Sequence, residues 1–341
     1  RTVGNGTDIG AYEVQDNGVV IPTELVVSTL EDENDGDFSA GDLSLREAIA
    51  LANNEQTITF NSGLSGGSII LNQGELLIDK SLNIKGLGAN NLTISGNNES
   101  RVFQVNDDNS DNQINVGIDS LNISEGELSQ STGAVNSING GGFLNHENLT
   151  ITNSALVDND AGNGGAIYNT STSQLQLENS LIDDNSGGTG AIYNNGGFTS
   201  IINTTLSNNG NAGIGAIVNY QGGELELSNS TVTDNNAYDA AVFNGENSKA
   251  TVTSTIIAGN SGEIIPERDD VIGTFISGGN NLIGNVTASN GFDSPSDLTG
   301  TADNPLEPRL GELQNNGGAT PTIALLDSSP AIDVGSNPNN L

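Results

Sequence analysis

A repeat of about 25 residues constrains the fold of this chain more than any other feature of its sequence. In five successive units a short apolar run is followed by an asparagine, and these asparagines lie 24, 25, 25 and 25 residues apart. They are Asn145, Asn169, Asn194, Asn219 and Asn244. A second asparagine in each unit recurs with spacings of 26, 24, 26 and 25 residues. This second set is Asn159, Asn185, Asn209, Asn235 and Asn260. Because two independent markers keep one period, the sequence predicts a solenoid of stacked coils.

The sequence pattern of the units predicts β-strands rather than helices. Each apolar run is only a few residues long and ends in Asn, Asp or Gly, which favour turns. Stretches such as 175–177 (LQL) and 225–227 (LEL) alternate with the period of two that is typical of strands. Coils of this length hold two or three short strands and stack roughly 4.8 Å apart. We therefore predict an all-β fold, a right-handed parallel β-helix.

The repeat also predicts what each coil contributes to the interior. Aliphatic residues at equivalent positions should stack in one inward column, and asparagines at equivalent positions should form amide ladders. The residues expected in the inward column are Ile167, Ile192, Ile217 and Val242.

Less regular segments flank the repeat. We assign residues 69–290 to the β-helix, 24–68 to an N-terminal cap, 291–341 to a C-terminal cap or anchor-like segment, and 1–23 to an extension.

A single helix is predicted at residues 44–53. Ser44 and Glu47 have the spacing of a capping box, which marks a helix N-terminus. An amphipathic stripe follows, consisting of Leu45, Ala48, Ile49 and Ala52. The open end of a β-helix exposes unpaired strand edges, so we expect this helix to lie over the N-terminal end.

The residues of this cap carry a resemblance to a known family. The runs 35–37 (DGD) and 44–49 (SLREAI) resemble the CSLREA-type N-terminal module of bacterial surface proteins, which precedes a right-handed β-helix. Relatives commonly carry two cysteines in the acidic loop. This chain has no cysteine, and Phe38 and Leu43 stand at what look like those positions. An apolar contact is expected there instead of a disulfide bond.

The end of the chain resembles a second module. Residues 313–322 (LQNNGGATPT) and 329–335 (SPAIDVG) are similar to the choice-of-anchor Q domain of bacterial surface proteins. In that family the segment after the Ala-Ile-Asp motif ends in a stretch like residues 7–13 (TDIGAYE), which here stands at the beginning of the chain. The two resemblances imply a secreted or cell-surface protein, and they imply no reaction.

The position of residues 7–13 at the beginning of the chain predicts self-association. Residues 1–15 read as the closing strand of a neighbouring or preceding unit, which would join units head to tail. The predicted contact residues are Ile9, Ala11, Tyr12, Ile323, Leu325 and Ile332. Such units form a filament if separate, or a tandem array if fused in one polypeptide. The alternative is that residues 1–15 are a disordered remnant.

The charge excludes several partners. The chain has 43 acidic and 8 basic residues and a formal net charge of −35. Nucleic acid and anionic membrane surfaces bind clustered Lys and Arg, so neither is an expected partner. No apolar run approaches the roughly 18 residues of a membrane span, so no direct membrane insertion is expected.

Acidic residues predict a calcium site. Residues 31–37 (EDENDGD) place five carboxylates within seven positions, and Asp42 lies close by. Calcium prefers several carboxylate and carbonyl oxygens, and a solvated acidic loop is the alternative. The predicted ligands are Asp32, Asp35, Asp37 and Asp42.

The sequence favours a structural or adhesive role over catalysis, and no catalytic residue is predicted. The alternative is a carbohydrate-active enzyme of the pectate-lyase type, which needs a base and cations to hold an acidic sugar. The coils 143–260 contain one basic residue, Lys249, and the single His146 lies in a turn. Adjacent carboxylates at 107/108, 183/184 and 269/270 also lie in turns. A surface polysaccharide remains a candidate partner. A cleft with converging carboxylates and a basic residue would favour the enzyme.

Overall fold

The computed structural model describes residues 24–39, 41–109, 111–128, 138–210, 214–262 and 270–336. Short parallel strands from successive coils stack in register and build three long sheets. The sheets form the faces of one continuous β-helix, which confirms the predicted parallel β-helix. We call the three sheets A, B and C. Each regular coil contributes one strand to each sheet and passes through them in the order C, A, B.

The three sheets have the following strands. Sheet A contains β1 (Leu25–Val27), β2 (Gln56–Phe60), β5 (Leu82–Lys85), β8 (Asn115–Asp119), β11 (Asn148–Thr152), β15 (Gln174–Glu178), β19 (Phe198–Ile202), β22 (Glu224–Ser228), β26 (Lys249–Thr253) and β30 (Ile276–Gly279). Sheet B contains β3 (Gly67–Ile70), β6 (Leu92–Ser95), β9 (Asn122–Ser124), β12 (Ala155–Val157), β16 (Leu181–Asp183), β20 (Thr205–Ser207), β23 (Thr231–Thr233), β27 (Ile256–Ile257), β31 (Leu282–Ile283) and β33 (Leu298–Thr299). Sheet C contains β4 (Leu76–Ile78), β7 (Phe103–Val105), β10 (Phe143–Asn145), β14 (Ile167–Asn169), β18 (Ile192–Asn195), β21 (Ile217–Tyr220), β25 (Val242–Asn244), β29 (Val271–Thr274) and β32 (Ser289–Asn290).

The remaining elements are short. Two parallel pairs extend the turn after sheet B, and an antiparallel hairpin lies near the end of the chain. The pairs are β13 (Asp160–Ala161) with β17 (Ser186–Gly187), and β24 (Asn236–Ala237) with β28 (Ser261–Gly262). The hairpin is β34 (Leu310–Gln314) with β35 (Thr322–Leu325). The helices are α1 (Leu45–Leu51) and the 3-10 helix η1 (Ser62–Leu64).

The parallel ladder extends past both bounds expected from the sequence. It begins at β1, where residues 25–27 pair with β2, and it ends at β33, where residues 298–299 pair with β31. The N-terminal cap region therefore supplies the first strands of the β-helix as well as its helix.

The interior is a continuous aliphatic column. Ile167, Ile192, Ile217 and Val242 are direct partners in the register of sheet C, and all four are fully buried. This confirms the predicted inward column. The buried aliphatic residues of all three sheets join it in one core.

Two buried amide ladders line the corners of the β-helix. In the first, the side-chain nitrogen of each asparagine donates to the side-chain oxygen of the next, at distances of 2.8, 2.9, 2.8 and 2.8 Å. Its members are Asn145, Asn169, Asn194, Asn219 and Asn244. The second ladder has corresponding distances of 2.9, 3.0, 3.0 and 2.9 Å. Its members are Asn159, Asn185, Asn209, Asn235 and Asn260. Both predicted ladders are thus confirmed.

The N-terminal cap follows the predicted capping box. Ser44 is the N-cap of α1, and its hydroxyl oxygen accepts from the Glu47 amide at 3.1 Å. The carboxylate of Glu47 accepts in return from the Ser44 amide. The helix spans Leu45–Leu51 with Ala52 as its C-cap, close to the predicted 44–53. Leu45, Ala48 and Ile49 are buried in the core beside β1.

The two apolar residues of the acidic loop both pack on the apolar core, and a direct contact between them stays a prediction. Leu43 is buried in the core, and Phe38 packs against that core while remaining partly exposed.

The C-terminal segment takes a path that the sequence did not predict. Residues 291–306 extend the last coils, and residues 308–336, which we call the strap, turn back along the side of the β-helix. Leu313 of the strap packs against Ala155 and Leu181 on the outer side of sheet B. Farther along, Asn280 donates to the Val334 carbonyl at 2.6 Å. The strap therefore links several coils laterally.

The ladder gives a direct test of what holds the coils together. Asn235 is fully buried, and its amide bonds to Asn209, Asn260 and the Leu206 carbonyl. Replacing Asn235 by Ala should lower the free energy of unfolding by about 3 kcal/mol, because several buried polar groups lose a partner. Urea unfolding followed by circular dichroism measures this change.

The adjacent residue provides the control. Asn236 is exposed, so Asn236→Ala should change the free energy of unfolding by less than about 0.5 kcal/mol. Equal losses in the two variants would contradict a stabilising role for the ladder.

Candidate functional site: a strap cleft, a polar groove and an acidic loop

The strap forms an open cleft with the side of the β-helix. The cleft has a volume of about 420 Å³. The strap contributes Ile323, Leu325, Ala331 and Val334, and turn residues of the downstream coils contribute the opposite wall. That wall includes the polar residues Asn203, Asn229, Ser254 and Asn280 and the apolar residues Ile256, Leu282 and Leu298. The strap is held over it by hydrogen bonds, among them Asn229 to the Ser336 carbonyl at 3.1 Å.

Apolar side chains of the strap remain open to solvent. Leu325 is 42% exposed, Leu326 is 49% exposed and Ile332 is 39% exposed. Within the described part of the chain, β35 pairs with β34 alone. An extended segment that entered the cleft could therefore meet both apolar side chains and a strand edge.

The structure thus places half of the predicted self-association residues. Ile323 and Leu325 line the cleft, and Ile332 is exposed beside its lining residue Ala331. Ile9, Ala11 and Tyr12, like the whole 1–23 extension, lie outside the described residues.

A second depression lies on the outer face of sheet A. This groove has a volume of about 730 Å³ and crosses β2, β5, β8, β11 and β15. Outward side chains of these strands line it, and Gly117 lies in its middle strand. Lys85 and Asp119 are direct partners in the strand register. Sequence reasoning missed this groove.

The carboxylate of Asp119 is firmly held. One of its oxygens accepts from Thr152 at 3.0 Å, from Asn153 at 2.8 Å and from Ser120 at 3.1 Å. Lys85, by contrast, is exposed and makes no side-chain ion pair or hydrogen bond with the residues described. Period-two alternation could have assigned these side chains to the outer face. It could not have shown that this face lies open.

The acidic loop is organised by the residues of the helix motif. Arg46 donates from its Nε to one Asp32 oxygen at 2.6 Å, and the Asn72 and Gln73 amides donate to the other oxygen at 2.8 Å each. The Asp32 side chain is only 1% exposed. Ser44 also donates to the Glu33 carbonyl at 2.8 Å. The motif residues therefore fix the loop against the cap, and Asp32 serves that contact.

The other predicted calcium ligands, Asp35, Asp37 and Asp42, lie near one another. The Asp37 amide donates to Asp35 at 2.8 Å, and Asp42 is half-buried beside them. Partial burial, followed by the charges of Asp37 and Asp35, raises the pKa of the Asp42 carboxyl above its ordinary value. Burial and then the charge of Asp42 raise the pKa of Glu33 in the same way. Among the residues described, no group of three or more His, Cys, Asp or Glu side chains has the arrangement of a metal site. Calcium binding stays a prediction.

The adjacent carboxylates do not all lie in turns as expected, because Asp183 is the last residue of β16. Asp107 accepts from the Asn109 amide at 2.8 Å, and Asp184 adopts a left-handed conformation with φ of 53°. Asp270 is buried and accepts from Asn260 at the end of the second ladder. Its neighbour at position 269 lies outside the described residues.

His146 is half-buried, where the sequence suggested an exposed turn residue. Burial, followed by the charge of Arg101, lowers the pKa of its imidazole.

No protein-family model, curated protein or solved structure matches this chain. In the part of the chain that the structure describes, no helix has the length and apolar character needed to cross a membrane. A β-helix is compatible with many functions, so function is inferred from the surfaces described above.

The acidic loop generates a calcium prediction. If calcium binds only the folded chain, millimolar calcium should raise the melting temperature at neutral pH, by mass action. The raised pKa values of Glu33 and Asp42 destabilise the folded state above the ordinary carboxyl pKa, and this effect disappears as the pH falls below it. The calcium-induced rise should therefore shrink toward about pH 4. Differential scanning calorimetry with calcium and with chelator measures it.

A charge-matched control separates the loop from the general acidity of the chain. The double variant Asp37→Asn, Asp42→Asn should abolish the calcium-induced rise, whereas the double variant Asp303→Asn, Asp327→Asn, at two exposed residues, should leave it intact. An unchanged melting temperature of the parent chain with and without chelator would remove the calcium site from consideration.

Proposed function

We propose that this chain is a non-enzymatic structural or adhesive module of a secreted bacterial surface protein, linked head to tail into a tandem array or filament. The observation that carries this proposal is the open, apolar strap cleft beside the downstream coils. Its location suits a contact in which the beginning of one unit meets the end of another.

The proposed occupant of the cleft is the segment at residues 1–15 of the next unit. Ile9, Ala11 and Tyr12 supply apolar side chains, and an extended backbone there can pair with the edge of β35. Burying exposed Leu325 and Ile332 provides the apolar driving force. The resemblance of residues 7–13 and 329–335 to parts of one module in surface proteins supports the same pairing.

The net charge sets a condition on assembly. Each unit has a formal charge of −35, so neighbouring units repel one another at low ionic strength. Added salt screens exposed charges over about 10 Å at 0.1 M. Association of units should therefore strengthen with salt, as expected for a contact driven by apolar burial.

The occupant can be tested in a form that covers both the filament and the tandem array. A peptide of residues 1–15 should bind a chain that lacks those residues, and the Leu325→Asp variant should reduce this binding by about tenfold or more. Leu77→Asp is the matched control, because Leu77 is 49% exposed on sheet C. Isothermal titration calorimetry gives the affinities.

Size in solution tests the filament case. The parent chain should grow in mass with concentration in sedimentation experiments, and the chain without residues 1–15 should stay monomeric. Failure of the peptide to bind, together with a monomeric parent chain at high concentration, would refute head-to-tail linkage.

A second candidate function rests on the groove of sheet A. The groove combines Lys85 with Glu55, Asp119 and Glu178, as a polysaccharide lyase or hydrolase would require. One oxygen of Asp119 already accepts three hydrogen bonds from the protein, and three carboxylates in the groove oppose the binding of an acidic sugar. These features favour a binding surface over a catalytic cleft. Robust turnover in a screen of plant and algal polysaccharides would reverse this choice.

A further inference from the structure

The groove of sheet A has an ordered pattern of outward side chains. Thr57, Asn83, Gly117, Thr150 and Gln176 are successive partners in the strand register, and the first four of them line the groove. Neighbouring strands lie roughly 4.8 Å apart, so five strands span roughly 20 Å. The groove therefore offers polar groups at regular intervals along the β-helix axis.

Gly117 lies in the middle strand of the groove. Its backbone lacks the positive φ that favours glycine, so backbone conformation does not explain the residue. A Cβ at position 117 would lie 2.3 Å from the side-chain oxygen of Asn83. The absence of a side chain at Gly117 therefore lets the Asn83 side chain lie over the strand, and a side chain at position 117 would displace it.

Free hydrogen-bonding groups lie around Gly117. Asn83 and Lys85 are exposed, and Thr150 is half-buried. Across the described residues, these three side chains make no hydrogen bond or ion pair to the protein. Together they supply amide, ammonium and hydroxyl groups.

The groove also has defined limits. Thr320 of the strap donates to the Asn179 carbonyl at 3.3 Å, and Asn179 lines the groove at its downstream end. The strap begins to cover the corner of the β-helix where the groove stops. The coils upstream of this point keep their outer face open.

The charged and polar side chains of the groove indicate which class of ligand it can bind. Glu55, Asp119 and Glu178 outnumber Lys85, so the groove disfavours polyanions. Its outward side chains are amides, hydroxyls and charged groups, which disfavour an apolar ligand. A neutral polymer rich in hydroxyl groups can donate hydrogen bonds to the carboxylates and amides of the groove and can accept hydrogen bonds from Lys85.

We propose that this groove binds a neutral polysaccharide lying across the five strands. The inference rests on the proposed adhesive role, because it treats the groove as a surface that holds the chain without cutting it. Asn83, Lys85 and Thr150 donate or accept hydrogen bonds with sugar hydroxyls, and the absence of a side chain at Gly117 leaves Asn83 in its place in the groove.

The test uses the whole chain and a panel of defined neutral polysaccharides, namely xylan, mannan, laminarin and hydroxyethyl cellulose, with polygalacturonate and alginate as anionic controls. Affinity gel electrophoresis should show retardation by at least one neutral polymer. Gly117→Phe should weaken that affinity by about tenfold or more, because the ring fills the groove. Lys85→Gln should weaken it by a smaller factor.

The matched control lies on the same face. Thr251 occupies the equivalent outward register position on β26, outside the groove, so Thr251→Phe should keep the full affinity. Circular dichroism and melting temperature verify that each variant is folded, and Asn83→Ala serves in place of Gly117→Phe should the latter fail to fold.

Each outcome decides the proposal. Absence of binding to every neutral polymer, stronger binding to the anionic polymers, or an affinity that the groove variants leave unchanged would overturn it. Binding accompanied by cleavage would support the groove as the glycan site while overturning the non-enzymatic function. Binding without assembly would support the groove and count against the head-to-tail contact alone.

Discussion

The buried amide ladders are the interaction on which the rest of the structure depends. A chain that turns every few residues must bury polar backbone groups at its corners, and buried polar groups without partners are costly. Asn185 shows the solution: its side chain bonds to the next asparagine, to the Leu156 carbonyl and to the Asp183 carbonyl. In both ladders each asparagine bonds to the asparagine at the equivalent position of the next coil, so a ladder continues only while the coils repeat that residue. The repeat in the sequence is therefore a physical requirement of the fold.

The last asparagine of each ladder has no equivalent asparagine in the next coil to bond to. In this chain a different group supplies the hydrogen-bond partner at that position. At the downstream end Asp270 replaces asparagine and accepts from Asn260 with its carboxylate at 2.8 Å. In the other ladder Asn244 donates to the Thr274 carbonyl at 2.6 Å. The apolar core is closed at the upstream end by α1. The helix α1 and the residues that end the ladders thus lie where the repeating pattern stops.

The features that could be predicted from the sequence are those that repeat or that have a local signature. The inward column at Ile192 and Ile217, the ladders and the capping box at Ser44 all follow from spacing alone. The path of the strap could not be predicted. Leu313 contacts Ala155 and Leu181, which are distant in the sequence, and no repeat or local motif in the sequence indicates this contact. The groove was missed for the same reason, since an outward face is open or covered according to where the strap lies. The role of Asp32 was hidden because its partner Arg46 was recognised only as part of a motif.

The two proposed surfaces occupy different parts of the same scaffold, and this separation has a consequence for binding strength. The groove uses the coils of β2 to β15, whereas the strap cleft lies beside the coils that contain Asn203 to Asn280. Occupying the cleft by a neighbouring unit therefore leaves the groove free. An array of units then presents many identical grooves to one long polysaccharide. Binding at a second groove is intramolecular once the first is engaged, so weak individual sites can give a much stronger overall attachment without any new contact. A rigid β-helix favours this arrangement, because fixed spacing lowers the entropy that successive grooves lose on binding.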